Sequence, residues 1–184
     1  MRKTKKQIEA IAKKIKLLIL DVDGVMTDGS IILDNEGNEL KRFHVRDGHG
    51  IKMLQRAGIK VAIITGRQSK VVEIRAKELG IEEVHQRIFM KSVLYEQLLQ
   101  KYNLKDENVA FMGDDIVDIE LLKRAGLPAV PSDADEGVKK WALFISGKKG
   151  GRGAVRELID LILKSSGLWG SVSGESLPAG KRIG

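Results

Sequence analysis

The 184-residue chain has no cysteine, which excludes disulfides and thiolate metal sites. Its three histidines, His44, His49 and His85, lack any spacing that suggests a zinc site. Aromatic residues are sparse, with two Trp, two Tyr and four Phe, too few for a platform on which bases stack. No apolar run approaches the ~20 residues needed to span a bilayer. Met1-Arg2-Lys3 leads into an amphipathic charged segment, not a signal-peptide core, so export is not expected and the cytoplasm is the expected compartment. Acids are scarce at the start. The formal net charge of +7 arises almost wholly within residues 1–16, where Arg2, Lys3, Lys5, Lys6, Lys13, Lys14 and Lys16 face Glu9 alone. A basic face on one helix is usually just solvated, so no nucleic-acid partner is expected.

What the chain does have is Leu17-Leu18-Ile19-Leu20 followed by Asp21-Val22-Asp23-Gly24-Val25-Met26-Thr27-Asp28-Gly29. An apolar run without alternation predicts a central strand covered on both faces. Such a strand delivers Asp21 and Asp23 beyond its carboxyl end, where open α/β sheets place ligands. Two carboxylates this close repel unless a cation or proton sits between them. A helix cap would require one acid and would explain neither the second nor the glycines.

Around this stretch, Thr4 to Lys14 predicts an amphipathic helix with Ile8 and Ile11 inward. Ser30–Leu33 and Glu39–Phe43 flank the turn residues 34–38 and predict a hairpin. Residues 45–50 lead into a helix from Ile51 to Arg56, closed by Ala57-Gly58. Strands follow at Lys60–Ile64, Glu83–His85, Val109–Met112, Leu127–Val130 and Leu143–Ile145. Between them come helices at Ser69–Leu79 (with Val71, Val72, Ile74 and Leu79 for packing), Lys91–Tyr102 (with Val93, Leu94, Leu98 and Leu99), Ile116–Ala125 and around Val138–Trp141. A last helix covers Ala154–Lys164. This alternation predicts a single α/β domain over residues 1–168, a Rossmann-like three-layer sandwich with a mostly parallel central sheet. Residues 169–184, rich in Gly and Ser, read as a disordered tail.

Strand ends of a parallel sheet converge, so Asp21, Asp23, Thr65, Lys91, Asp114 and Asp115 can meet. Carboxylates for a hard cation, a hydroxyl and an ammonium suit a phosphate bound beside Mg²⁺, which takes oxygen ligands and few protein carboxylates. Taken singly, Thr65 or Asp115 could cap a helix and Lys91 could be solvated. Their fall at the ends of successive strands favours a site.

These stretches, with Thr65-Gly66-Arg67 and Gly113-Asp114-Asp115-Ile116-Val117-Asp118, resemble the four motifs of the haloacid dehalogenase superfamily of phosphatases. Phe43–Gly48 and Gly150–Glu157 resemble its capless branch acting on 3-deoxy-manno-octulosonate 8-phosphate (KDO 8-phosphate), an intermediate of lipopolysaccharide precursor synthesis. The resemblance implies Asp21 as nucleophile forming an aspartyl-phosphate and Asp23 as general acid and base. It implies Thr65 and Lys91 on phosphoryl oxygens, and Mg²⁺ held by Asp21, the Asp23 carbonyl and Asp114, with Asp115 and Asp118 orienting them. Substrate contacts are implied at Asp23, His44, Val45, Arg46, Asp47, Gly48, Lys52, Thr65, Gly66, Arg67, Arg75, Lys91 and Arg152. With no cap domain, the branch covers its site by forming a homotetramer, so the flap hairpin at 30–43 is expected to pack among subunits. Arg152 is expected to reach a neighbouring site. A phosphatase of a nine-carbon keto-deoxy sugar acid phosphate would share nearly every motif. A non-catalytic phospho-aspartate switch would place its acids on different strands and its lysine last.

Overall fold

A computed structural model describes residues 3–174. The central sheet has six strands, β1 (Leu17–Leu20), β4 (Lys60–Ile64), β5 (Glu83–His85), β6 (Val109–Met112), β7 (Leu127–Val130) and β8 (Phe144–Ile145). Their order is β5-β4-β1-β6-β7-β8, and every pairing is parallel. Two further strands, β2 (Ile32–Leu33) and β3 (Glu39–Leu40), pair antiparallel as a separate hairpin.

The continuous apolar run of β1 has the expected meaning. Leu18 and Leu20 face one apolar layer and Leu17 and Ile19 the other, as the two-residue side-chain period requires. The first layer is closed by α1 (Lys5–Ala12), α2 (Val45–Arg56), α3 (Lys70–Leu79) and α7 (Ala154–Ser165). The second is closed by α4 (Lys91–Tyr102), α5 (Ile119–Arg124) and α6 (Glu136–Lys139). The chain steps from β1 to β4 on one side and later to β6 on the other. The crevice beyond β1 is therefore the topological switch point, where such sheets bind ligands.

Three expectations are corrected. Helix α2 begins at Val45, not Ile51, so the expected lead-in is its first turns. Gly48 and Gly50 do not break it, because both lie against neighbouring elements: a Cβ on Gly48 would fall 2.3 Å from Nη2 of Arg75, and one on Gly50 would fall 2.9 Å from Cδ of Arg156. Ile74 and Val93 face outward, at 60% and 50% exposure. Residues 169–173, expected in the tail, instead form helix α8, with Leu168, Trp169 and Val172 packed on the first apolar layer. The rest of the expected tail, from residue 175, lies outside the described residues.

Candidate active site

Three strand ends and one helix start build the crater. Asp21 follows β1, Thr65 follows β4, Asp114 follows β6 with Gly113 between, and Lys91 opens α4. The Lys91 ammonium sits 2.5 Å from Oδ1 of Asp21 and 2.6 Å from Oδ1 of Asp118. Asp118 is fully buried, and its other oxygen accepts from the Asp114 and Asp115 amides at 3.0 and 3.4 Å. Asp118 thus fixes the lysine and the turn that carries Asp114. Glycine is required here: a Cβ on Gly113 would lie 2.5 Å from the Asp118 carboxyl carbon. The Asp115 carboxylate instead accepts from the Ile116 amide at 2.6 Å, capping the turn, so it acts on the crater through its charge. Thr65 is buried, and its hydroxyl oxygen accepts from the Arg67 amide at 3.4 Å.

The loop after β1 is folded on itself. The amides of Val25, Met26 and Thr27 all donate to the Val22 carbonyl at 2.9–3.2 Å. Gly24 has φ +94°, and a Cβ there would lie 2.0 Å from Oδ2 of Asp114. The first and last acidic motifs therefore touch through a residue that must be glycine.

Carboxylates outnumber cations in this crater. Burial raises the Asp21 pKa to about 6, Lys91 working against the shift and Asp118 with it. Burial, then the charges of Asp21, Asp118 and Asp115, raise Asp114 to about 8. Burial works against the Lys91 ammonium, but Asp21 and Asp118 outweigh it and hold its pKa above the ordinary lysine value. The uncompensated negative charge is a place for a cation. Among the described residues no group of three His, Cys, Asp or Glu side chains could hold a metal ion. The buried carboxyls of Asp21 and Asp114 are nonetheless the oxygen donors that suit an ion keeping most of its waters.

The expected recognition residues divide. Arg67 is at the mouth, with Nε 3.7 Å from Oδ2 of Asp23, and Gly66 lies in the same turn. His44 precedes α2, with Nδ1 3.8 Å from Asp47; Val45 and Arg46 are exposed beside it. Asp47, expected to contact substrate, is placed as a structural anchor. It is 3% exposed and accepts from the Gly153 and Arg156 amides at 3.2 and 2.7 Å, which satisfies the start of α7. Gly48 is likewise covered, by Arg75. Arg75 is held by Glu78 at 2.7 Å and by the Phe43 ring, so it is not a free cation. Lys52 lies on the exposed face of α2, in a groove with His49, Gln55 and Glu78. Neither Lys52 nor Arg75 joins the crater through any of these contacts.

The Gly150–Gly153 loop closes onto the loop after β1 of its own chain. The Gly151 amide donates to the Val25 carbonyl at 2.9 Å, and a Cβ on Gly150 would lie 1.8 Å from the Gly24 carbonyl oxygen. Arg152, expected at a neighbouring site, has its guanidinium 3.7 Å from Asp28 of the same chain.

Sequence reasoning missed two residues. Lys41 lies against the Asp23 carboxylate, with Glu39 3.2 Å from its ammonium. The available signal was the alternation Glu39-x-Lys41, which puts both side chains on one face of an extended strand.

This arrangement defines a class. A profile of the haloacid dehalogenase-like hydrolases matches residues 45–126; the chain belongs to that family, and within it to the phosphatases. More particular likenesses cover nearly the whole chain. It is 44% identical over 170 residues to the 3-deoxy-D-manno-octulosonate 8-phosphate phosphatase KdsC of Escherichia coli (strain B / BL21-DE3), covering 92% of this chain and 90% of the relative. The crystal structure of the same-named phosphatase from Yersinia pestis superposes with TM-score 0.86 at 45% identity, over 88% of this chain and 87% of that one. The Moraxella catarrhalis phosphatase, solved with magnesium, phosphate and KDO, superposes with TM-score 0.90 at 38% identity, over 93% and 98% of the chains.

Proposed function

We propose that this protein is a Mg²⁺-dependent phosphatase that hydrolyses KDO 8-phosphate to KDO and inorganic phosphate in lipopolysaccharide precursor synthesis. The observation that carries the reading is the bridge from Lys91 to Asp21 and Asp118 beside the charge-rich Asp114, in a chain whose relatives carry that activity. Asp21 attacks phosphorus, and the aspartyl-phosphate divides one hard displacement into two easier ones. Asp23 donates a proton to the leaving sugar oxygen and then takes one from the attacking water. Thr65 and Lys91 bind phosphoryl oxygens, Lys91 offsetting charge that shifts in the transition state. Asp21, the Asp23 carbonyl and Asp114 would hold Mg²⁺, which supplies charge neutralisation between the nucleophile and an anionic phosphate. Arg67 and Arg46 are the accessible cations for the sugar carboxylate.

A cytoplasmic homotetramer completes the reading. The hairpin leaves Ile31, Leu33 and Leu40 exposed at 60%, 60% and 56%, an apolar flap suited to burial between subunits. Phosphate release with Mg²⁺ from KDO 8-phosphate and from its nine-carbon analogue, beside Asp21→Asn, tests the proposal. The expected result is strong turnover of the eight-carbon substrate, lost in the variant. Preference for the nine-carbon substrate would keep the chemistry and replace the substrate; equal release by the variant would remove Asp21 as nucleophile.

A further inference from the structure

The hairpin supplies the catalytic loop with a residue that the mechanism above does not use. Asp23 is faced by two cations: Oδ1 by the Lys41 ammonium, Oδ2 by Nε of Arg67 at 3.7 Å. One oxygen of Glu39 ties these cations together, 3.2 Å from Lys41 and 3.0 Å from Nη2 of Arg67. The two cations differ in freedom. The Arg67 side chain is 45% exposed and can turn to a ligand, whereas that of Lys41 is 1% exposed. An enclosed ammonium has given up its water and stays where its carboxylates are. Its shielded position makes Lys41 unsuited to meeting substrate directly and well suited to holding Asp23.

We propose that Lys41 is a positioning residue for Asp23, so that the hairpin sets the group that moves the proton in both half-reactions. This rests on the phosphatase reading. In the first half-reaction, an Asp21 oxygen bonds to phosphorus, the bond from phosphorus to the leaving oxygen breaks, and Asp23 gives that oxygen its proton. In the second, water oxygen bonds to phosphorus, Asp23 takes the water proton, and the Asp21 carboxylate departs. A sugar alkoxide is a poor leaving group and needs the proton; p-nitrophenolate is a good one and leaves without it. The second half-reaction needs Asp23 whatever the ester was. Misplacing Asp23 therefore slows both half-reactions for a sugar phosphate, but only the second for p-nitrophenyl phosphate.

The test is Lys41→Met in the full chain with Mg²⁺, assayed on KDO 8-phosphate and on p-nitrophenyl phosphate by steady-state and rapid-mixing kinetics. General acid–base catalysis contributes ~10²–10⁴-fold, so kcat on the sugar phosphate falls by about 100-fold with little change in KM. The first turnover of p-nitrophenyl phosphate stays within about threefold of wild type, and nitrophenolate appears in a burst approaching one per site, as phosphorylated Asp21 awaits water. Lys41→Arg restores part of the rate. Glu39→Gln, which leaves Lys41 an acceptor, shows the same pattern at smaller amplitude. Equal losses on both esters without a burst, or undiminished turnover of the sugar phosphate, would overturn the assignment. If Lys41→Met does not fold, the same criteria apply to Glu39→Gln. A wild-type protein inactive on both esters would overturn the phosphatase reading, and this role with it.

Discussion

Helix α4 carries a charge cluster at each end, and the two are opposites. At its start, Lys91 is one ammonium against Asp21, Asp114 and Asp118, and the carboxyls of Asp21 and Asp114 are raised to about 6 and about 8. At its end, Glu83 is one carboxylate with several partners, taking Lys101 and Tyr102 on one oxygen and the His85 ring, 2.8 Å away, on the other. Burial works against that carboxylate, yet the bonds from Lys101, Tyr102 and His85 outweigh it and lower its pKa to about 2. The same types of side chain, on the same helix, give one saturated cluster and one that is short of positive charge. Saturation is what structure needs, and a deficit is what a cation and a phosphate come to fill.

Breaking the deficient end should have the larger effect. Lys91→Met leaves Asp21 and Asp118 buried without their ammonium, and loss of one partner of a buried pair costs about 3–5 kcal/mol. Denaturant titration should show that loss, and phosphate release should be abolished. Glu83→Gln at the other end should leave activity within about twofold and cost roughly 1–3 kcal/mol through weakened charge-assisted bonds, read in the same titration. Asp114→Asn should stabilise the metal-free protein by about 1–2 kcal/mol, or roughly 2–8 °C in Tm, while removing any rise in Tm on adding Mg²⁺. The smallest effect is in pH dependence. The folded-state pKa values of Asp21 and Asp114 are raised, so metal-free stability falls as pH climbs from about 4 through 6 and 8. Glu83 is lowered, so its contribution is present above about 4.5 and is lost as pH falls towards 2. Thermal midpoints in chelator should therefore peak where these windows meet, near pH 4, and Glu83→Gln should flatten only the acid side.

The catalytic half of this comparison was legible because parallel strands announce themselves. The apolar runs ending at Leu20, Ile64 and Met112 fixed which carboxylates and hydroxyl would converge, and Lys91 at a helix start completed the set. Recognition was less legible because it depends on which way a side chain turns at a helix–helix contact. Asp47 lies in a motif-like stretch, yet it turns inward to the start of α7; Arg75 turns onto Gly48 and Phe43. Glycines in α2 look like helix breakers by propensity, but close approach to Arg75 and Arg156 requires them. Lys41 was hidden for a different reason. Nothing local says that a strand lysine will be enclosed, since the enclosing group, Asp23, is eighteen residues away.

The Gly150–Gly153 clamp on the loop after β1 also has a temporal meaning. Translation runs from the N-terminus, and segments fold as they emerge. Asp21, Asp23, Asp114, Asp118 and Lys91 are all made before the segment that holds the loop after β1 down, since the amide that donates to the Val25 carbonyl belongs to Gly151. A nascent chain halted after Asp118 would carry all of these side chains with the loop still unfastened. The loop after β1 is therefore fastened only once α7 has been made, when Asp47 captures its first turn.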